Sequence, residues 1–225
     1  MKKIAFSDRY ELTQAVLEGR KTMTRRVCKY DRPDKTYYIT FPIFEPNDYD
    51  NDGHIKSPLN YAFGWKHNNG DFTGWNIPQY KVGEVVAIAQ NYETILRAGK
   101  CSNDFFVDSS TINKKYCGAG YGNKMLAKAE LMLHHIRIKD IWMEKLQSIT
   151  DGDCLKEGVE LNTRQYEYDG TKRYCVRGLG HWRAIGCDQF NTPREAFAAL
   201  IDKVLGKGTW NSNPYVFVYE FELID

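Results

Sequence analysis

The sequence predicts an α+β domain around a small closed or half-closed barrel. Several short apolar or aromatic strand patterns recur along the chain, and three segments carry helix caps or helical spacing. The regular strand–helix alternation of a doubly wound parallel sheet is absent from this pattern. A length of 225 residues suits one large domain or two small ones with a substantial core.

Each of the three helices is predicted from its ends. The first covers residues 8–20, where apolar side chains recur at helical spacing before a glycine. The second follows a capping box at Thr150 and runs through Glu157, where a glycine stops it. The third begins at Thr192, which can cap a helix with proline in its first position, and continues to about residue 205.

The strands are predicted from alternating or continuous apolar runs bounded by turn residues. An Asn-Asn-Gly-Asp turn separates two of them, and Asp169-Gly170 predicts a hairpin between two others. The predicted strands cover residues 37–41, 61–65, 72–75, 85–88, 127–141, 166–168, 174–176 and 215–223.

The net charge of +2 conceals an uneven distribution. A near-neutral chain argues against wrapping nucleic acid over a long footprint, and 14% aromatic residues argue against disorder. Residues 20–35 nevertheless hold seven basic and two acidic side chains, so the rest of the chain carries −3. Residues 171–183 form a second basic stretch. The two stretches either converge on one anionic ligand or form solvated surface.

The compartment is predicted from what the sequence lacks. The N-terminus shows no apolar signal-peptide region, and no apolar run is long enough to cross a membrane. None of the six cysteines forms a C-x-x-C pair, so we expect free thiols in a reducing cytoplasm and neither a metal nor a cofactor. Residues 48–53 copy half of a calcium loop, but Leu59 occupies the position of the bidentate carboxylate, which favours an acidic turn.

Four segments, in this order, resemble the ASCH domain of the PUA-like superfamily. They are GRKTMTRR at 19–26, YKVGEVV at 80–86, IRIKDI at 136–141 with CLKEGV at 154–159, and WNSNPYVFVYEF at 210–221, the last similar to phage-type members. The resemblance implies a PUA-like β-barrel with flanking helices. It also implies a single domain over residues 1–225, with insertions at about 30–79 and 98–125.

One bacterial branch of the superfamily that this chain resembles consists of amidohydrolases. These enzymes deacetylate N4-acetylcytidine with a lysine, a threonine and a glutamate. Carried onto the matching positions, these residues are Lys21, Thr24 and Glu157. The superfamily also contains RNA-binding modules without catalytic activity, so the resemblance leaves two functions open, with a nucleoside or an RNA as the ligand.

The chemistry of these side chains is compatible with hydrolysis. A threonine hydroxyl becomes a nucleophile when a base takes its proton. Lys21 can serve as that base if burial and the neighbouring Arg25 and Arg26 lower its pKa. Glu157 can act as acid, base or water positioner, and either arginine can hold an oxyanion, a phosphate or a carbonyl. The competing interpretation is a buried structural network of Lys21, Thr24 and Glu157.

Two further residues are candidate ligand contacts. Thr22 belongs to the same basic run, and Trp182 can stack on a base. A third interpretation of the whole chain is an interaction domain of phage or mobile-element biology without a small ligand. A pocket beside Lys21 distinguishes it from the other two.

Overall fold

The computed structural model describes residues 1–42, 47–49, 55–58, 61–98, 119–180 and 188–225. The helices in these ranges are α1 (Leu12–Leu17), α2 (Tyr92–Arg97), α3 (Asp151–Lys156), α4 (Thr163–Asp169), α5 (Pro193–Val204) and α6 (Thr209–Ser212). The strands are β1 (Lys3–Ile4), β2 (Met23–Val27), β3 (Tyr38–Thr40), β4 (Asn47–Tyr49), β5 (Ile55–Pro58), β6 (Gly64–Lys66), β7 (Val85–Ile88), β8 (His135–Lys145), β9 (Glu160–Leu161), β10 (Tyr174–Cys175) and β11 (Tyr215–Leu223).

The main sheet has five strands in the order β1-β7-β8-β11-β2. The β1–β7 pair is parallel and the others are antiparallel. Three two-stranded sheets, β3–β6, β4–β5 and β9–β10, accompany it. This arrangement confirms the α+β class. The described strands do not close the main sheet into a ring, so the barrel is not confirmed and stays a prediction.

One apolar core joins the main sheet to α1 and α5. Phe197 of α5 is fully buried, as are Tyr219 and Phe221 of β11, and Val16 of α1 packs in the same cluster. Consecutive residues of β11 are buried, so this strand is covered on both faces. The core therefore fixes α1 and α5 relative to β2, which lies next to β11.

The region predicted as the first insertion contributes to this core. Phe63 and Trp65, beside and within β6, lie against aromatic rings of β11. The ring centroids of Phe63 and Phe217 are 5.7 Å apart, and those of Trp65 and Tyr215 are 4.9 Å apart. The Asn-Asn-Gly-Asp turn follows β6 as predicted. The strand predicted after it at residues 72–75 is wrong, because Phe72 forms only an isolated bridge with Lys66. Most of the second predicted insertion, residues 99–118, lies outside the described residues.

The predicted helix over residues 8–20 is divided. A short 3₁₀ turn over Asp8–Tyr10 precedes α1, and Glu11 between them adopts a left-handed backbone with φ of 50°. The Glu11 amide donates to the Asp8 carbonyl, which closes the turn before α1 begins. The strand predicted over 127–141 begins later in the structure. A 3₁₀ turn covers Ala129–Leu131, and β8 begins at His135.

The predicted hairpin at Asp169-Gly170 is wrong. Residues 166–168 belong to α4, and β10 pairs with β9 instead. The amide of Tyr166 donates to the Asn162 carbonyl, and that of Gly170 donates to the Tyr166 carbonyl, which is helical bonding. Tyr168 is exposed. The alternating tyrosines at residues 166 and 168 therefore belong to a helix that faces solvent, and they do not form a buried strand face.

Buried thiols provide a test of this packing. Cys28 and Cys154 are free and buried, and burial raises the pKa of each thiol to about 12. At pH 8 the reactive thiolate is then on the order of 10⁻⁴ of each thiol. We expect neither cysteine to react with a maleimide in the native protein, and both to react in guanidinium chloride. Peptide mass mapping locates the label, and equal labelling in the native and unfolded states would contradict the packing.

No helix in the described ranges has the length and apolar character needed to span a lipid bilayer.

Candidate functional site

A small pocket lies between β2, the end of α3 and the end of α5. Its volume is about 70 Å³. One side is polar and charged, and it contains all three residues predicted to be catalytic together with both predicted arginines. These residues are Lys21, Thr24, Arg25, Arg26 and Glu157. The other side is mostly aliphatic and comes from α5 and its C-cap.

The backbone on both sides of Lys21 is fixed by hydrogen bonds. Gly19 ends α1 with φ of 72°, a conformation that glycine adopts without strain. The amides of Arg20 and Lys21 then both donate to the Ala15 carbonyl, each at 2.9 Å. The Thr22 amide donates to the Lys156 carbonyl at the end of α3. Lys21 is thus held between two helix ends, and it is 2% exposed.

The Lys21 ammonium group has three acceptors. Its Nζ lies 2.5 Å from Glu157 Oε2, 2.8 Å from the Glu157 carbonyl oxygen and 2.7 Å from the Met23 carbonyl oxygen. An ammonium has three protons to donate, so each has a partner. The contact between Lys21 and Glu157 joins residues that are 136 positions apart in the sequence.

Burial lowers the pKa of Lys21 below its ordinary value. Glu157 opposes this shift through its charge and its hydrogen bond, while the positive charges of Arg26 and Arg25 add to it. A low-dielectric environment disfavours the charged forms of both an amine and a carboxyl group. Lys21 therefore releases a proton more readily than an exposed lysine does.

Glu157 also contacts a second cation. Its Oε1 accepts from Arg25 Nη1 at 3.1 Å. Nε and Nη2 of the same guanidinium donate to Glu144 Oε1 on β8 at 3.0 and 2.7 Å, and Asp153 Oδ2 lies 3.7 Å away. Arg25 is therefore neutralised by protein carboxylates, and its position in the pocket wall is fixed by them.

The α3 helix places Glu157 at its C-cap. The Thr150 hydroxyl accepts from the Asp153 amide at 3.1 Å and begins the helix, as predicted. Gly158 follows with φ of 101°, and a Cβ there would lie 3.0 Å from a methyl of Leu12. A glycine therefore meets both the backbone and the packing requirement at this position.

Loss of the α3 cap should weaken the protein and disturb the site. We expect Thr150→Ala to lower the free energy of unfolding by about 1 kcal/mol, because the Asp153 amide loses its acceptor. Thr150→Ser keeps a hydroxyl at the same place and is the matched control. Chemical denaturation of both variants measures the difference, and equal stability of the alanine and serine variants would contradict the capping role.

The Thr24 side chain differs from its neighbours in having no internal partner. Thr24 lies in β2, opposite Tyr219 of β11, and is 5% exposed. Thr24 lines the pocket, and its hydroxyl has no hydrogen-bond partner within the described ranges. Thr24 Oγ1 is not among the buried unpaired atoms of the described residues, so solvent reaches it. The site thus contains a hydroxyl group that is available to a ligand.

Arg26 lies at the rim of the pocket. Its Nη2 donates to the Ala5 carbonyl at 2.8 Å, and its guanidinium carbon lies 6.0 Å from the centre of the Phe6 ring. The Lys21 ammonium lies 5.8 Å from the same ring. In the described part of the chain no carboxylate forms an ion pair with Arg26, which lines the pocket.

Of the two other predicted ligand contacts, Thr22 does not line this pocket. Thr22 acts through its backbone, since its carbonyl accepts from the Phe221 amide and its amide donates to α3. Trp182 lies outside the described residues.

The two basic stretches do approach each other, but through a carboxylate of the protein. Arg20 Nη1 lies 2.5 Å from Glu160 Oε1, and Arg177 Nε lies 2.9 Å from the same oxygen. Much of the local positive charge is therefore balanced within the fold. This leaves less charge for a phosphate backbone than the composition of residues 20–35 indicates.

Sequence reasoning missed the aliphatic side of the pocket and the carboxylate partner of Arg25. The apolar spacing within residues 193–205 signals one buried helix face, and that signal does not reveal that the end of the face covers a pocket. Glu144 carries no local signal, because its contact with Arg25 depends on strand pairing across β11.

The described residues contain no group of three or more histidine, cysteine, aspartate or glutamate side chains that could hold a metal ion. Comparisons with protein-family models, curated proteins and solved structures found no match to this chain.

Proposed function

We propose that this pocket hydrolyses the amide bond of an N-acylated nucleoside or nucleobase such as N4-acetylcytidine. The observation that carries the proposal is the available Thr24 hydroxyl in the same small pocket as the buried Lys21–Glu157 pair. The resemblance of GRKTMTRR and CLKEGV to the ASCH amidohydrolases supports the same assignment. We further infer a PUA-like architecture, with the five-stranded sheet as its central element and α1, α3 and α5 around it.

In this mechanism, acylation begins when the Lys21 ammonium passes a proton to Glu157 Oε2 across their 2.5 Å contact. The Thr24 oxygen bonds to the acyl carbon, and its proton passes to the Lys21 amine. The Glu157 carboxylic acid protonates the amide nitrogen while the C–N bond breaks. The products of this step are an ester on Thr24 and a free amine, with Lys21 positive and Glu157 negative.

Deacylation reverses the two proton transfers. A water oxygen bonds to the acyl carbon, and one of its protons passes to the Glu157 carboxylate. The Lys21 ammonium returns a proton to the Thr24 oxygen while the ester C–O bond breaks. A carboxylic acid leaves, and the proton returns from Glu157 to Lys21. The resting ion pair is thereby restored, so no outside proton carrier is consumed.

Arg26 supplies the positive charge that the developing oxyanion needs. It lines the pocket and forms no ion pair within the described ranges, whereas Arg25 is held by Glu144 and Glu157. A fixed cation beside a developing negative charge is worth more in a buried site than in water. In this assignment, Arg25 positions Glu157 and Arg26 contacts the substrate.

The size of the pocket restricts which part of the substrate enters it. Sites that enclose drug-sized ligands typically measure about 300–1,000 Å³. At about 70 Å³, this pocket accommodates the acyl carbonyl and its immediate neighbours. The sugar and most of the base therefore remain outside, over Arg26.

The proposal is tested by incubating the purified chain with N4-acetylcytidine and measuring release of cytidine and acetate by chromatography. We expect turnover that Lys21→Met abolishes. The absence of turnover together with tight binding of single-stranded RNA, weakening steeply as salt rises, would replace this function with a non-catalytic RNA-binding module. Turnover that is unchanged in Lys21→Met would place the activity elsewhere or in a contaminant.

A further inference from the structure

We propose that the end of α5 selects the acyl group, and that the preferred substrate carries a linear aliphatic acyl chain longer than acetyl. This inference rests on the proposed function, since it names the substrate class of the same site. It is carried by the division of the pocket into an aliphatic side and a cationic side.

The aliphatic side changes from buried to exposed along α5. Phe197, Leu200 and Ile201 line its inner part and are 0–6% exposed. Val204 and Leu205 line its outer part, and each is 40% exposed. Thus a continuous apolar surface begins beside the proposed nucleophile and ends in solvent.

The opposite side of the pocket determines the orientation of the substrate. Thr24 and Arg26 come from β2 and supply a hydroxyl and a guanidinium group, while Glu144 and Glu157 hold the Arg25 guanidinium between them. The amine part of a nucleoside amide carries hydrogen-bond donors and acceptors. Placing them against leucine and isoleucine side chains would leave them unpaired at a cost in free energy. The polar amine part therefore faces Arg26, and the acyl chain lies along α5.

The small inner volume determines where the chain goes. The pocket has room for the carbonyl and the first carbons at Thr24, and a longer chain must continue outward over Val204 and Leu205. These two side chains present apolar surface to water when no substrate is bound. A methylene group that covers them is removed from water, which is worth about three- to fourfold in binding per methylene.

The test compares N4-acetyl-, N4-butyryl- and N4-hexanoylcytidine as substrates of the whole chain. We expect kcat/KM to rise along the series, with hexanoyl about tenfold or more above acetyl. Leu205→Ser should reduce the hexanoyl-to-acetyl ratio of kcat/KM by about tenfold. Leu126→Ser is the matched control, because Leu126 is an exposed leucine that does not line this pocket.

The outcomes distinguish acyl-chain selection by α5 from the hydrolysis on which it rests. Equal kcat/KM across the series, or a ratio unchanged in Leu205→Ser, would overturn acyl selection by α5 and leave the hydrolase assignment standing. A preference for acetyl would do the same. Hydrolysis of none of the three compounds would overturn both. A Leu126→Ser variant that alters the ratio as strongly as Leu205→Ser would also overturn the assignment of the aliphatic side.

Discussion

Replacing Thr24 with valine should lower the rate of N4-acetylcytidine hydrolysis by at least about 10³-fold, because the nucleophilic oxygen is removed. The same change should move the free energy of unfolding by less than about 1 kcal/mol. Valine has nearly the shape of threonine, favours strands, and replaces a hydroxyl that has no partner within the described ranges. Activity and stability should therefore separate in this variant.

Thr22→Val is the matched control. Thr22 lies two residues away, is half-buried and does not line the pocket in the described structure. Steady-state assays and chemical denaturation of the two variants compare them directly. A large loss of stability in Thr24→Val would favour the structural-network interpretation. Activity close to that of the unchanged protein would eliminate Thr24 as the nucleophile.

The largest effect on stability is expected for Glu157→Gln. This substitution removes the negative charge shared by two buried cations, Lys21 and Arg25. Removing one partner of a buried ion pair typically costs about 3–5 kcal/mol, since an uncompensated charge stays in a low-dielectric interior. We expect a loss in that range, measured by chemical denaturation, together with loss of hydrolysis.

An exposed ion pair provides the comparison for this result. Lys156 and Glu220 are 3.1 Å apart, with side chains 45% and 33% exposed. Glu220→Gln should cost no more than about 1 kcal/mol, because water solvates the remaining ammonium. Combining Glu157→Gln with Lys21→Met should recover part of the stability, since one unpaired cation is then absent. Similar costs for the two glutamine variants would contradict the burial argument.

Local signals predicted those elements whose ends are chemically marked. Thr150 and Thr192 cap α3 and α5, and the apolar run at residues 85–88 forms β7 with the expected bounds. The strand predicted at residues 166–168 is wrong, because an alternating aromatic triplet is compatible both with a strand and with an exposed helix. Whether such a segment forms a strand or a helix depends on whether the fold buries it, and the adjacent residues in the sequence do not determine that.

The sequence predicted two kinds of residue in the candidate site. Some lie close together in one segment, and one distant residue was proposed from the family resemblance. Thr24 and Arg25 follow Lys21 within one short segment, whereas Glu157 was reached only through the resemblance. Glu144 lies 119 positions from Arg25, and no pattern connects them. The aliphatic wall was hidden for a related reason, because the helical periodicity of α5 is the same for a face that covers core and one that covers a pocket.

The position of β11 has a consequence for how the site assembles during synthesis. β2 carries Thr24 and Arg25, yet the strand beside it in the sheet is β11, residues 215–223. Contacts between segments so distant in sequence form slowly, and a strand without its neighbour is exposed to incorrect pairing. On the ribosome, the residues of β2 therefore remain without their sheet partner until nearly two hundred further residues have been made. The pocket is among the last features of this protein to form.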